Sequence, residues 1–308
     1  MLKVKNLVKN YGELNVLKNI SFEVEKGKVY GFLGQNGAGK TTTMNILTGL
    51  INYDGGEIYL DGEKFDKNKR HLLKKVGYLP QSPVFYGYMT AYEYLNFIGE
   101  LSGMSATKIK SKSAELIETM GLKDAAHRKI GGYSGGMKQR FGLAVSLFND
   151  PELLILDEPT SALDPEGRAE ILHLISNLKK RGLTVFLSTH ILSDVERVCD
   201  EVSIIHKGEI LISDNLNHLK NQYIQPVFDI EFENECSNLK EILCNIPWIQ
   251  RVKIAERKAS IYVTSLDHSK KDLFQILSEY DNTCISYNLR KSDLEDIFIR
   301  LVNNNGNI

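Results

Sequence analysis

Along residues 2–35 apolar and polar positions alternate, in "LKVKNLVKNYG", then "NISFEVEKG", then "KVYGFLG". A two-residue period belongs to strands with one covered face, so a small β layer leading into a buried strand is expected. After Gly39 the period lengthens, and in "KTTTMNILTGL" Met44, Leu47 and Leu50 fall on one helical side. Strand patterns return in "GGEIYLDGE" (55–63) and "KKVGYLPQ" (74–81). Residues 90–149 read as three helices, 90–102, 107–120 and 135–149. In the last of these Met137, Phe141, Ala144, Val145 and Phe148 recur at helical intervals. Beyond residue 150 short apolar strands and amphipathic helices take turns: "ELLILDEP", "PEGRAEILHLISNLKKRG", "LTVFLSTH", "LSDVERVC", "EVSIIHKG". That alternation predicts a parallel sheet covered by helices.

Near 213–226 the signal fades into a short polar helix, "DNLNHLKNQYIQP", which reads as a linker. A new series then begins: strand 227–233, helix 237–245, strands 249–255 and 259–264, helix 268–280, strand 284–290 and helix 292–303. This βαββαβ order is that of a ferredoxin-like split unit. The expected organisation is a first domain over 1–215, a linker over 216–226 and an α+β domain over 227–308. "NNNGNI" reads as a frayed tail.

The 308 residues suffice for one large domain and a smaller one. A 42% apolar share is ordinary for a soluble globular chain, and a net charge of −1 gives no electrostatic reason to expect nucleic acid. Cys199, Cys236, Cys244 and Cys284 lack C-x-x-C spacing, so structural zinc is not expected and a reduced, cytoplasmic setting fits. No stretch approaches the roughly 20 apolar residues that span a bilayer. A role at a membrane would require an anchor supplied by another protein.

"GQNGAGKTT", residues 34–42, matches G-x-x-x-x-G-K-[ST] between a predicted strand and a predicted helix. Small residues let consecutive backbone N–H groups point inward, and the helix N-terminus adds the positive end of its dipole. Gly34, Gln35, Asn36, Gly37, Ala38, Gly39, Lys40, Thr41 and Thr42 are therefore candidate phosphate binders. Lys40 can reach the β- and γ-phosphates of ATP, and the Thr41 hydroxyl suits Mg²⁺.

"LLILDEPT" (153–160) is a buried strand ending in two acids. Asp157 would stand at the strand's C-terminal edge, where open α/β sheets bind ligands, and hold Mg²⁺ through water. Glu158 is placed to polarise an attacking water as general base. His190, ending "LSTH" one strand over, is a candidate γ-phosphate contact. Gln81, ending "VGYLPQ", is a candidate beside Mg²⁺ and water. A second glycine cluster, "YSGGM" (133–137), offers Ser134 as a helix cap and exposed amides at Gly135 and Gly136. It reads either as a plain N-cap or as a second phosphate grip. A grip could close on the ATP of a neighbouring subunit, so that two head-to-tail subunits share two nucleotides.

Taken together these stretches resemble the ATP-binding subunits of ABC transporters. The set appears in the family's order: Tyr11, "GQNGAGKTT", Gln81, "YSGGMKQR", "LLILDE", "SALD" (161–164) and His190. The resemblance covers about residues 1–215. It implies a P-loop NTPase fold of ABC type, α/β, with an antiparallel β lobe and a helical subdomain beside the small C-terminal ferredoxin-like domain. It further implies that Tyr11 stacks on adenine and that Gln81 senses the γ-phosphate. Ser134, Gly135 and Gly136 would bind the γ-phosphate of the opposite subunit, and 161–164 would connect the two sites. The commoner signature is L-S-G-G-Q, whereas this chain has Tyr133 and Met137. "YSGGMKQR" looks like the version in bacterial exporter ATPases of the ABC-2 type, including antibiotic-resistance systems. "SDLEDIFIRLV" (292–302) resembles their terminal helix, and reads equally as an amphipathic helix packing Leu294, Ile297, Phe298 and Leu301 onto its own sheet.

By the same resemblance, residues 82–101 form a groove for a polytopic membrane permease subunit, and the chain works at the cytoplasmic face of the cell membrane. That segment carries Phe85, Tyr86, Tyr88, Tyr92, Tyr94 and Phe97. About half of these are expected in the core, with Tyr86, Tyr88 and Met89 the expected contacts. A homodimer is the simpler expectation, a paralogue heterodimer the other. The competing reading is a soluble ABC ATPase acting on the ribosome or another non-membrane partner, a class that usually carries two nucleotide domains in one chain. A DNA-repair type would need a long coiled-coil insertion between Thr42 and Tyr133, where only short helices are predicted.

Overall fold

The computed structural model describes residues 1–297 apart from 162, 224, 225, 265, 292, 293 and 295. The chain divides into two units, Met1–Leu216 and Asn217–Ile308, each with a core of its own. The first opens with β1 (Leu2–Tyr11), β2 (Leu14–Val24), β3 (Val29–Leu33) and α1 (Lys40–Leu47). It continues through β4 (Gly55–Leu60), β5 (Glu63–Lys64), α2 (Phe65–Leu73) and β6 (Val76–Leu79). Three helices follow, α3 (Ala91–Leu101), α4 (Ala106–Thr119) and α5 (Gly135–Leu147). The rest is β7 (Leu153–Asp157), α6 (Pro165–Lys180), β8 (Thr184–Thr189), α7 (Leu192–Val198), β9 (Glu201–His206) and β10 (Glu209–Asn215).

The alternating N-terminal strands form an antiparallel sheet in the order β2-β1-β4-β5. Its inner face, with Leu2, Val4, Leu17, Ile20 and Phe22, packs on Tyr30, Phe32 and Phe186 of the neighbouring sheet. Phe22 stacks on Phe186 with ring centroids 5.4 Å apart. The second sheet runs β10-β9-β3-β8-β7-β6, with all pairs parallel except the edge pair β10–β9. Every residue of β3, β7 and β8 is buried, as near-continuous apolar runs require when both faces are covered. The ladder places Leu33 opposite Thr189 and Asp157 opposite Ser188. The C-terminal ends of β3, β7 and β8 therefore finish side by side, and the residues that follow each strand share one edge.

Two elements lie outside the sequence expectation. Helix α2 carries Lys67, Lys69, Arg70 and His71, and among its described side chains only Phe65 and Leu72 are buried, so it has little apolar period to betray it. Strand β10 takes residues expected in the polar helix. It turns back on β9 through Lys207 and Gly208, whose φ angles of 47° and 83° are the left-handed pair of a tight hairpin. The helix itself, α8 (Leu216–Tyr223), begins after it.

The second unit contains β11 (Pro226–Phe232), α9 (Leu239–Leu243), β12 (Ile249–Ala255), β13 (Lys258–Val263), α10 (Leu266–Ser278) and β14 (Cys284–Lys291). Its antiparallel sheet has the order β12-β13-β11-β14, the ferredoxin-like arrangement. Phe228, Ile230, Phe232, Ile261 and Val263 face Leu239, Leu243, Leu273 and Leu277 of the helices. The alternate positions carry a polar network. Asp296 is buried and accepts hydrogen bonds from Tyr262, from Lys253 Nζ at 3.2 Å and from Arg290 Nη1 at 2.7 Å. Arg290 Nε donates to Asp229 at 2.5 Å. Of the expected terminal helix, Leu294, Asp296 and Ile297 are helical and buried. Phe298, Leu301 and the tail lie outside the described residues. Among the described residues no helix is long and apolar enough to cross a membrane.

Burial alone would raise the Asp296 carboxyl, but the Tyr262 hydroxyl, Arg290 and Lys253 outweigh it and hold the group down at about 2. A carboxyl depressed in the native state stabilises it above the unfolded pKa of ~3.9 and loses that stabilisation as pH falls toward 2. Fluorescence of Trp248, the single tryptophan and partly buried against the second core, should therefore report loss of this unit between about pH 4 and 2. In Asp296→Asn the unit should be weaker at neutral pH and its stability flatter over that window.

Candidate functional site

Residues after β3, β6 and β7, with Val16 of β2, enclose a cleft of about 480 Å³ lined by Val16, Asn36, Gly37, Gly39, Lys40, Thr41, Thr42, Gln81 and Glu158. The loop 34–39 can lie against its neighbours only because glycine stands at 34 and 39. A Cβ on Gly34 would lie 2.5 Å from the Ile205 carbonyl oxygen. One on Gly39, at φ 108°, would lie 2.7 Å from Leu17. Gly39 is the N-cap of α1 and provides no side-chain cap, so amides of the first turn remain free toward the cleft.

Lys40 folds back over this loop. Its ammonium donates to the carbonyls of Gly34 at 2.9 Å and Gln35 at 3.1 Å. It also pairs with Glu158 Oε1 at 3.0 Å, with both side chains buried. Glu158 Oε2 meets His190 Nδ1 at 2.9 Å and lies 3.5 Å from Gln81 Nε2. Glu158 itself has φ 45°, a left-handed backbone unusual for a residue with a side chain and typical of strained functional positions. Lys40, Gln81, Glu158 and His190, drawn from four segments, are thus joined in one constellation.

Asp157 sits beneath it, 1% exposed. Ser188 Oγ donates to Asp157 Oδ1 at 2.5 Å and accepts the Glu158 backbone N–H at 3.0 Å, so one hydroxyl fixes both acids. Ser188 carries no signal of its own in the sequence, although it shares "STH" with His190. Val16 was likewise missed, because its place beside the cleft depends on sheet packing. Burial raises the Asp157 carboxyl; hydrogen bonds from Ser188 and Thr41 oppose this, Glu158 adds to it and Lys40 counters it. The Thr41 hydroxyl and the Asp157 carboxylate are hard oxygen donors of the kind Mg²⁺ takes, adjacent to a loop of free amides suited to phosphate.

The other expected site residues are not brought to this cleft. Tyr11 ends β1, with its ring 51% exposed and Lys9 Nζ 5.3 Å from its centroid. It belongs to the same hairpin as Val16 but does not line the cleft. Ser134 is the N-cap of α5, its Oγ accepting from Met137 N–H at 3.3 Å. Ser134 and Gly135 are exposed, and nothing lies within 4 Å of a Cβ built on Gly135. Tyr133, in place of the commoner leucine, is buried against Phe141 and donates its hydroxyl to the Ala125 carbonyl at 2.9 Å.

A family model described as ABC transporter matches residues 17–161. Over 302 residues, 98% of this chain and 99% of the relative, the sequence is 41% identical to the ABC transporter ATP-binding protein YxlF of Bacillus subtilis (strain 168). The chain belongs to the ABC transporter ATP-binding proteins. It is also 36% identical to the bacitracin transport ATP-binding protein BcrA of Bacillus licheniformis, over 98% of this chain and 97% of that one. A solved dimer of the ATP-binding cassette MJ0796, in a post-hydrolysis state bound to ADP and Pi, matches with TM-score 0.64 and 27% identity. It covers 70% of this chain and 99% of that chain. This ABC protein is accordingly an ATP-binding ATPase.

The aromatic segment divides as its exposure dictates. Phe85 and Tyr94 pack edge-on against Phe141 at 5.0 and 5.6 Å between centroids. Tyr86 and Tyr88 stack on each other at 5.8 Å and stay exposed, Tyr88 to 68%, beside exposed Val84.

An ionised Asp157 is costly in the nucleotide-free protein, and a group with a raised native pKa costs stability above that pKa and none below the unfolded one. Asp157→Asn keeps an acceptor for Ser188 and removes the charge. At pH 7 it should raise the melting temperature of the nucleotide-free ABC protein, while the stabilisation gained on adding ATP with Mg²⁺ should shrink; differential scanning fluorimetry measures both.

Proposed function

We propose that this chain energises a membrane exporter by ATP-driven closure of a head-to-tail pair, with Glu158 as general base. The observation that carries this reading is the buried convergence of Lys40, Glu158 and His190 beside the glycine loop. Lys40 holds Glu158 when no phosphate competes for it, and would exchange that carboxylate for the β- and γ-phosphates when ATP binds. Glu158 is then released to accept a proton from water at its carboxylate, while its backbone stays pinned by Ser188. Asp157, Thr41 and Gln81 would hold Mg²⁺, whose role when bound is to neutralise charge on the phosphates. His190 orients Glu158 through Nδ1 and would meet the γ-phosphate. Gly34 to Thr42 bind the phosphates, and Tyr11 would stack on adenine.

Ser134, Gly135 and Gly136 lie apart from their own cleft and keep exposed amides, which supports their use on the nucleotide of a second subunit. Closure is then favoured only while a γ-phosphate bridges the two chains, a two-state element biased by its ligand. Two competent half-sites from one sequence support a homodimer. The exposed Tyr86 and Tyr88, with Met89, would seat a polytopic permease subunit, holding the ATPase at the cytoplasmic face of the membrane. The bacitracin-transport relative and the terminal "SDLEDIFIRLV" support export, with an antibiotic as the cargo class.

Glu158→Gln should bind ATP with near wild-type affinity, hydrolyse it about 10²–10⁴-fold more slowly, and run as a dimer on gel filtration with ATP and Mg²⁺. Tagged Glu158→Gln protein should recover a polytopic membrane protein from detergent-solubilised native membranes, and Tyr86→Ala with Tyr88→Ala should abolish that recovery. Wild-type turnover in Glu158→Gln would remove the base assignment; recovery of ribosomal or other soluble partners alone would remove the exporter.

A further inference from the structure

Among the described residues of the first unit the buried carboxylates are Asp157, Glu158 and Asp194, and the reaction above leaves the third without a task. Asp194 lies in α7, four residues after His190, and is 1% exposed. A carboxylate so placed is expensive unless both oxygens are engaged. Both are. Oδ2 accepts from the hydroxyl of buried Thr160 at 2.5 Å, and Oδ1 accepts from Arg168 Nε at 2.6 Å. Arg168 also donates through Nη2 to Ser193 Oγ at 2.6 Å, closing the link onto the start of α7.

The elements joined are those that carry the reacting groups. Thr160 is two residues beyond Glu158 in a tight turn, where Ser161 N–H donates to the Glu158 carbonyl and Leu163 N–H to that of Thr160, each at 3.2 Å. The Glu158 backbone is left-handed and needs outside support to remain so. Arg168 is in the first turns of α6, whose N-cap is Asp164 at the end of "SALD". His190 lies just before α7, four residues ahead of Asp194. One carboxylate thus fastens the turn after β7, the start of α6 and the loop after β8 at a single point. We infer that Asp194 is a positioning residue for ATP hydrolysis: through Thr160 and Arg168 it holds the Glu158 turn and the His190 loop at the separation where Glu158 Oε2 and His190 Nδ1 meet. This rests on the reading of Glu158 as general base.

The test uses the full-length protein with steady-state ATPase kinetics and equilibrium binding of mant-ATP. Asp194→Ala should lower kcat by roughly tenfold or more, as small displacements of reacting groups do. Its mant-ATP affinity should change less than about twofold, because nothing in the glycine loop is touched. Asp194→Asn should recover most of the rate, since its carbonyl can serve Arg168 and its amide the Thr160 hydroxyl. Thr160→Val keeps the shape and removes only the donor; it should lower kcat in the same sense, and the double variant Thr160→Val/Asp194→Ala should be no slower than Asp194→Ala alone. A merely structural role would instead lower the melting temperature with kcat per folded molecule unchanged, or lower affinity and rate together. Either result, strictly additive losses, or full activity in Thr160→Val overturns the inference. Should Asp194→Ala not fold, Thr160→Val and Asp194→Asn decide. Inactive Glu158→Gln beside fully active Thr160→Val would defeat the Asp194 inference alone, whereas active Glu158→Gln would defeat the base assignment and this inference with it.

Discussion

The parallel register of β3, β8 and β7 is the constraint on which the site depends. Backbone hydrogen bonds set Leu33 against Thr189 and Asp157 against Ser188, so three separate segments leave the sheet at the same level. A slip of one residue would turn each buried side chain to the opposite face, and both faces here are packed. Glycine loop, acidic turn and His190 loop are consequently neighbours although more than a hundred residues separate the first from the second. The antiparallel layer contributes through Phe22, whose stacking on Phe186 ties it to the central strand β8.

Around that edge charge is managed by pairing. Lys40 and Glu158 are both nearly inaccessible, and each would be costly alone. Asp157 is held beside Glu158 with hydroxyl donors and Lys40 as partial compensation, and its carboxyl is raised even so. Such a cluster stores unfavourable electrostatics that phosphate and a cation can relieve. Stability is thus given up where binding is proposed, a common relation between active sites and the folds that carry them.

The second unit follows different physics. Its helices cover one side of a four-stranded sheet, and on the alternate positions Asp296 gathers Tyr262, Lys253 and Arg290. Asp296 belongs to the stretch "SDLEDIF" whose apolar positions Leu294 and Ile297 are buried beside it. Full-length relatives align across 98% of the chain, this unit included, whereas the solved cassette dimer covers 70%.

The glycine loop, the acidic pair at 157–158, Ser134 with its glycines and His190 were legible in the sequence because each is set by local spacing: a strand, a tight turn, then a helix N-terminus. The ferredoxin-like order was legible for a similar reason, since its strands alternate and its helices are amphipathic over short windows. Helix α2 and strand β10 were not, because a nearly polar helix and an edge strand owe their existence to neighbours rather than to their own period. Long-range partners were equally hidden. That Lys40 pairs with Glu158, that Ser188 fastens both acids, that Val16 borders the cleft and Tyr11 does not, and that Asp194 meets Thr160 and Arg168 all depend on how sheets stack and where strands end. The sequence by itself determined which chemical groups are present and the local backbone that presents them. Only the tertiary structure decided which of them share charge and hydrogen bonds, because those choices are made by contacts between segments that no local period encodes.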